Sequence, residues 1–88
     1  MVERYVPGLS PEWLLAATAR ARSVSSAMTA EGTPVRYLGS TFIPEEDACF
    51  CQFEGASKKA VEEANQRAEF PFARILAAVR ISAEEART

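Results

Sequence analysis

Hydrophobic and polar residues follow two spacings along this 88-residue chain, one typical of strands and one typical of helices. Alternation of apolar and polar positions predicts a half-buried strand, and apolar positions three and four apart predict an amphipathic helix. The predicted elements, in chain order, are a strand over 2–6, a helix over 11–31, strands over 35–43 and 48–54, a helix over 57–68 and a strand over 73–81. The order is therefore β-α-β-β-α-β.

Residues that start and stop regular structure mark the ends of these elements. Ser10 followed by Pro11 predicts the start of the first helix, because a serine side chain caps free backbone N–H groups and proline suits the first helical position. Gly32 predicts the end of that helix, since glycine accepts the left-handed conformation there. Pro34 and Pro44 bound the second strand.

The order β-α-β-β-α-β defines the split βαβ, or ferredoxin-like, class of small α+β domains. Right-handed crossovers place the first and third strands in the middle of a four-stranded antiparallel sheet, with the second and fourth strands at its edges. Both helices then cover one face of the sheet. We predict one domain of this class over residues 1–82 and a polar C-terminal tail over 83–88.

Alternation along the strands sorts their residues onto two unlike faces of the predicted sheet. The face assigned to the helices carries Val2, Val6, Val35, Tyr37, Cys49, Cys51, Phe53, Ile75, Ala77 and Val79, with Arg4 as a charged exception. The other face, which we call the open face, carries Glu3, Tyr5, Arg36, Leu38, Ser40, Phe42, Phe50, Gln52, Glu54, Arg74, Leu76 and Arg80. No third helix is predicted to cover it.

The open face predicts an oligomer. Leu38, Phe42, Phe50 and Leu76 would form an exposed apolar patch larger than soluble monomers usually carry. A two-fold homodimer with two such sheets face to face would bury the patch, and the polar residues would line a central cavity. Cavities with apolar walls and a few convergent polar groups are typical binding sites. We therefore expect the chain to pair with itself and to bind a small molecule.

Composition and charge argue against several classes of partner. The net charge is -2 and no basic stretch occurs, which disfavours nucleic acid and anionic membranes. No apolar run approaches the roughly 20 residues of a membrane span. The N-terminal residues lack the apolar core of a signal peptide. We expect a cytoplasmic protein with no nucleic-acid or membrane partner.

Cys49 and Cys51 are the two cysteines of the chain. On one strand they point to the same face, with Cα atoms about 6.6 Å apart and parallel Cβ vectors. A disulfide needs Cβ atoms roughly 3.5–4.5 Å apart, so we expect two reduced, buried thiols. Thiolate metal sites usually need four ligands, and we predict neither a metal site nor a cofactor.

Short segments of the chain resemble a known family. The segments 2–8, 37–40, 51–54, 67–71 and 74–75 are similar to those of a family of small bacterial proteins, mostly without assigned function, of which one branch is described as nickel-binding. The resemblance covers residues 2–80 and implies a ferredoxin-like subunit that forms a dimeric α+β barrel. The chain departs from the nickel-binding branch because it has no histidine, the ordinary ligand for nickel.

Polar side chains of the open face form the candidate site. Glu3 and Glu54 lie on the two central strands, and two carboxylates that share a partly dry cavity raise one pKa toward the range of a general acid or base. The predicted ligand-binding residues are Tyr5 and Gln52 on the cavity floor and Arg36 and Ser40 near its mouth. The alternative is that both glutamates form ion pairs with Arg36, Arg74 or Arg80.

Three functions stay open from the sequence. The first is a homodimeric small-molecule-binding protein with its site between the two sheets. The second is a cofactor-independent enzyme, an isomerase, cyclase or monooxygenase-like catalyst that transfers protons with the cavity carboxylates, which is an analogy of fold. The third is a divalent-metal binder, as in the nickel-binding branch, and the missing histidines weaken it.

Overall fold

The computed structural model describes residues 1–6, 8, 10–79 and 81–87, and within them four strands and two α-helices follow the predicted order. The elements are β1 (Val2–Tyr5), α1 (Pro11–Ala30), β2 (Val35–Ile43), β3 (Ala48–Gly55), α2 (Lys58–Arg67) and β4 (Arg74–Ile75). The sheet has the strand order β2-β3-β1-β4, and each neighbouring pair is antiparallel. The predicted ferredoxin-like α+β fold is confirmed.

Both helices begin at serine caps and pack on one face of the sheet. The Ser10 hydroxyl accepts a hydrogen bond from the Trp13 backbone N–H (3.2 Å), and the Ser57 hydroxyl accepts one from Ala60 (3.1 Å). The buried residues of α1 are Ala17, Ala21, Ser25 and Met28, and those of α2 are Ala60, Val61, Ala64 and Asn65. Neither described helix combines the length and apolar character that crossing a membrane requires.

Arg4, the charged exception on the helix-covered face, is fully buried. Its Nη1 donates to the carbonyls of Phe70 and Pro71 (3.1 Å each), and its Nη2 donates to Asn65 Oδ1 (2.7 Å). The guanidinium carbon lies 3.4 Å from the centre of the Phe70 ring, a cation–π contact. Asn65 is held in turn by its donation to the Val61 carbonyl (2.8 Å). This network ties β1 to the end of α2.

A β-bulge in β2 breaks the two-residue period of that strand. Tyr37 pairs with Phe53 and Gly39 pairs with Gln52, so Leu38 is an extra residue with no partner of its own. Gly39 has a φ of +156°, a backbone conformation that residues other than glycine rarely adopt. The inserted residue reverses the order of inward and outward side chains along the rest of the strand.

The bulge moves two predicted open-face residues to the other side. Ser40 lies opposite Cys51 in the ladder and Phe42 lies opposite Cys49, so both face the helices. Phe42 packs against the buried core and is half-buried. The predicted placement of Ser40 and Phe42 on the open face is wrong, because alternation was counted through the inserted residue.

β4 is much shorter than the predicted strand. Leu76 still exchanges backbone hydrogen bonds with Met1 (N···O 2.7 and 2.6 Å), although the strand itself ends at Ile75. Ala77 and Val79 were predicted on the covered face, and that prediction is wrong because both are exposed. Arg80, predicted on the open face, lies outside the described residues.

Candidate functional site

The open face is uncovered along the described part of the chain. Tyr5 and Leu38 expose 58% and 45% of their surface, and Phe50 and Leu76 are half-buried. The buried core lies on the opposite side, between the sheet and the helices. The predicted apolar patch is therefore present, but it consists of Leu38, Phe50 and Leu76 without Phe42.

Glu3 lies on the open face and is nevertheless 4% exposed. Its Oε1 accepts a hydrogen bond from the Tyr5 hydroxyl (2.5 Å), and its Oε2 forms an ion pair with Arg74 Nε. The hydrogen bond from Tyr5, followed by that from Arg74, holds the pKa of Glu3 below its ordinary 4.5. A carboxylate in this state stays ionised and neutralised, which is typical of an ion pair rather than of a general base.

Glu54 lies far from Glu3. It is directly opposite Arg36 in the ladder and forms an exposed ion pair with it at 3.8 Å. Glu3 pairs with Phe50, which is four residues before Glu54, so the two carboxylates are separated by about 13 Å along the sheet. One chain therefore does not bring the two glutamates into a shared site. Glu3 pairs with Arg74 and Glu54 pairs with Arg36, as the ion-pair alternative predicted. This arrangement does not support proton transfer by a shared pair of carboxylates.

A slot opens in the sheet past the N-terminal end of β1. Residues 52–55 of β3 and residues 76–79 both line it. The slot has a volume of about 950 Å³ and is lined by Met1, Leu38, Gln52, Phe53, Glu54, Gly55, Ser57, Lys58, Val61, Ile75, Leu76, Ala77, Ala78 and Val79. This volume falls within the range of small-molecule pockets, roughly 300–1,000 Å³.

Four polar residues are among those that line the slot. Gln52 and Glu54 come from β3, while Ser57 and Lys58 come from the start of α2. The sequence predicted Gln52 and Glu54 but missed Lys58, whose position directly after the β3–α2 turn was the available signal. The other predicted site residues lie elsewhere: Tyr5 beside Glu3 on the open face, Arg36 on β2 and Ser40 on the helix-covered side.

A second cluster of polar atoms lies between the sheet and the helices. The sulfurs of Cys49 and Cys51 are 3.9 Å apart, and both thiols are free and fully buried. Ser40 Oγ donates to Cys51 Sγ (2.9 Å) and is hydrogen-bonded to the Tyr37 hydroxyl (2.6 Å). Burial, and then the neighbouring Cys51, raises the pKa of Cys49 to about 12.

Comparison with known proteins assigns this small ferredoxin-like α+β chain to a family. The family model described as nickel responsive protein SCO4226-like matches residues 1–77. The chain therefore belongs to the SCO4226-like family of nickel responsive proteins. Comparisons with curated proteins and with solved structures gave no significant match.

The described residues of one chain do not fit a nickel centre. The sequence has no histidine, and no group of three or more cysteine, aspartate or glutamate side chains clusters within the described ranges. Nickel sites in proteins ordinarily use imidazole, often with further nitrogen and oxygen ligands. Cys49 and Cys51 face the helices, so a copy packed on the open face would not reach them.

Proposed function

We propose that the protein is a homodimer that binds a small molecule in the slot beside β3, with two copies packed open face to open face. The slot carries the proposal, since its lining combines apolar side chains with a few polar ones. The open face supports the dimer, because it exposes large apolar side chains that a second copy would cover.

The charges of the open face support its burial in a dimer. Burying a charge is costly unless that charge is paired and hydrogen-bonded. Glu3 is already neutralised by Arg74 and bonded to Tyr5 within one chain. A second copy would therefore cover the middle of the face without stranding an isolated carboxylate, while the exposed pair of Arg36 and Glu54 would stay toward the rim.

The slot indicates the class of ligand. Leu38, Leu76 and Val79 contribute apolar surface to its lining, whereas Gln52 and Lys58 contribute an amide and an ammonium group. We infer a ligand with an apolar body and one polar or anionic end. The amide would accept and donate hydrogen bonds, and the ammonium would bind the negative charge.

Binding of 1-anilinonaphthalene-8-sulfonate, an apolar anion, tests the slot directly. We expect saturable fluorescence with one dye per chain. Ala78 lines the slot, so Ala78→Trp should fill it and weaken dye binding by about ten-fold or more, equivalent to about 1.4 kcal/mol. Ala86→Trp makes the same change on an exposed residue away from the slot and should bind dye like wild type. Equal binding by both variants would contradict the proposal.

Nickel response is the second candidate function, and the family match over residues 1–77 favours it. Because the described residues of one chain do not fit a nickel centre, the ligands would have to come from two copies. A ligand that prefers the native state raises the melting temperature. A rise with nickel chloride would support this candidate, and no rise at saturating nickel would remove it.

We also propose a cytoplasmic location. Cys49 and Cys51 support it, because both thiols are free with their sulfurs 3.9 Å apart. Thiols persist in reducing compartments and are oxidised more readily outside them. Fractionation of cells that produce the protein tests this location, and recovery in a secreted or membrane fraction would contradict it.

A further inference from the structure

Arg4 is a buried cation, and no carboxylate of residues 1–6, 8, 10–79 or 81–87 forms an ion pair with it. Of the ion pairs formed by the described residues, none includes Arg4, and its Nε has no hydrogen-bond partner. Carbonyl and amide oxygens solvate the charge without cancelling it. A buried charge normally requires an opposite charge nearby. The side chain directly opposite Arg4 in the ladder is Cys49, and Cys51 is on the same face of β3.

The two sulfurs are spaced to share one metal ion. At the observed separation of 3.9 Å, an ion about 2.3 Å from each sulfur would have an S–metal–S angle of about 115°. A modest widening of the pair opens this angle toward the linear arrangement that two-coordinate soft cations adopt. Soft thiolate ligands select soft ions such as Cu(I). Two protein ligands are enough for a two-coordinate ion, whereas the usual zinc and nickel sites need more.

We propose that Cys49 and Cys51 bind one monovalent thiophilic cation of the Cu(I) class, with Arg4 as the counter-charge. Two thiols lose two protons to solvent as two sulfur–metal bonds form, and no electron is transferred. The two thiolates carry two negative charges, which one monovalent cation and the guanidinium of Arg4 cancel. A divalent ion would leave one uncompensated positive charge in a fully buried place.

The pair has a short route to solvent through the edge strand. Ser40 contacts Cys51 and is itself exposed, so one side chain separates the sulfur from water. The bulge at Leu38 and Gly39 brings Ser40 onto this side of β2. The cluster lies on the opposite face of the sheet from the proposed dimer interface. Its test is therefore independent of the proposed function.

An anaerobic competition titration tests the proposal on the wild-type protein. The reduced chain is titrated into Cu(I) held by bathocuproine disulfonate, and the metal taken from the competitor is measured by the loss of its colour. We expect one Cu(I) per chain and release of two protons for each ion. Because both thiols are buried, the metal-free chain should be alkylated by N-ethylmaleimide only as it opens, and bound Cu(I) should lower that rate at Cys49 and Cys51, as read by mass spectrometry.

Variants separate the thiol site from adventitious binding. Cys49→Ser and Cys51→Ser should each lower the Cu(I) affinity by about a hundred-fold or more, which corresponds to about 2.7 kcal/mol. Met28→Leu removes the sulfur of another fully buried residue at nearly constant volume and should leave the affinity unchanged. Arg4→Lys keeps the counter-charge and should bind Cu(I) more tightly than Arg4→Met.

Three results would overturn the proposal. The first is a wild-type chain that takes no Cu(I) from the competitor, and this result stands whether or not any variant folds. The second is bound Cu(I) with both thiols alkylated as fast as in the metal-free chain. The third is equal affinity in wild type and in Cys51→Ser, which would place the ion elsewhere.

Discussion

The two faces of the sheet treat charge in opposite ways. On the covered face, Arg4 is completely buried and is held by carbonyl oxygens, an amide and an aromatic ring. On the open face, Glu3 is almost as deeply buried, but it is neutralised by Arg74 and bonded to Tyr5 from the same chain. The charge of Arg4 on the covered face therefore lacks an opposite charge among the described residues. The charge of Glu3 on the open face is neutralised, but that face lacks a covering layer.

This difference separates the requirements of folding from those of association. A side chain in the covered network contributes to the stability of one chain, because its partners belong to α2 and the segment that follows it. An apolar side chain on the open face contributes fully only when a second surface covers it, since part of its area still faces water. Substitutions on the covered face should therefore change the free energy of unfolding, and those on the open face should change the dimer dissociation constant.

The largest expected effect is that of Arg4→Met on the stability of the chain. The substitution leaves the carbonyl of Phe70 and the amide oxygen of Asn65 buried without their donor, and it removes the donor to the partly buried carbonyl of Pro71. We expect the free energy of unfolding to fall by about 3 kcal/mol or more, measured by urea denaturation. The same change at exposed Arg36 should cost less than about 0.5 kcal/mol. Equal effects at both positions would erase the contrast between the faces.

The next effect is that of Leu38→Asp on association. Leu38 is 45% exposed and belongs to the apolar patch, so a carboxylate there would be buried without a partner in the proposed dimer. We expect the dimer dissociation constant to rise about ten-fold or more, equivalent to about 1.4 kcal/mol, while the isolated chain keeps its circular dichroism spectrum. Sedimentation velocity over a concentration series measures this. Thr18→Asp on α1 is the control, and a similar loss of association there would contradict the assignment of the interface.

A smaller, pH-dependent effect is expected for Glu3→Gln. Because the folded state lowers the pKa of Glu3, its stabilisation is present above the ordinary value of 4.5 and is lost as the pH falls through the folded pKa. The variant should be less stable than wild type at about pH 7 and should lose less stability on acidification to about pH 3. Urea midpoints at both pH values measure the difference. Parallel pH profiles for the two proteins would show that the Arg74 and Tyr5 contacts do not act on Glu3.

The sequence predicted the elements whose ends are marked by local chemistry. Ser10, Pro11 and Gly32 delimit α1, and the observed helix Pro11–Ala30 agrees with the predicted one to within a residue. Pro34 and Pro44 delimit β2 in the same way, and β2 has the predicted bounds. The strand order followed from the handedness of the crossovers, which depends little on individual side chains.

The errors arose where structure depends on distant residues or on one inserted residue. Alternation cannot detect the bulge at Leu38, and Ser40 was therefore assigned to the wrong face. The extent of β4 depends on its pairing with β1, which no local pattern in residues 73–81 contains. Arg4 stood out as an exception, but its partner Asn65 is 61 residues away along the chain.

The mass of the wild-type protein in solution shows whether a second copy covers the open face. The open face is uncovered in one chain, and we propose that a second copy covers it. Sedimentation equilibrium at micromolar concentration should therefore give twice the mass of one chain, with Leu38→Asp shifted toward the mass of a single chain. A wild-type protein that keeps the mass of a single chain at micromolar concentration would contradict the proposed dimer.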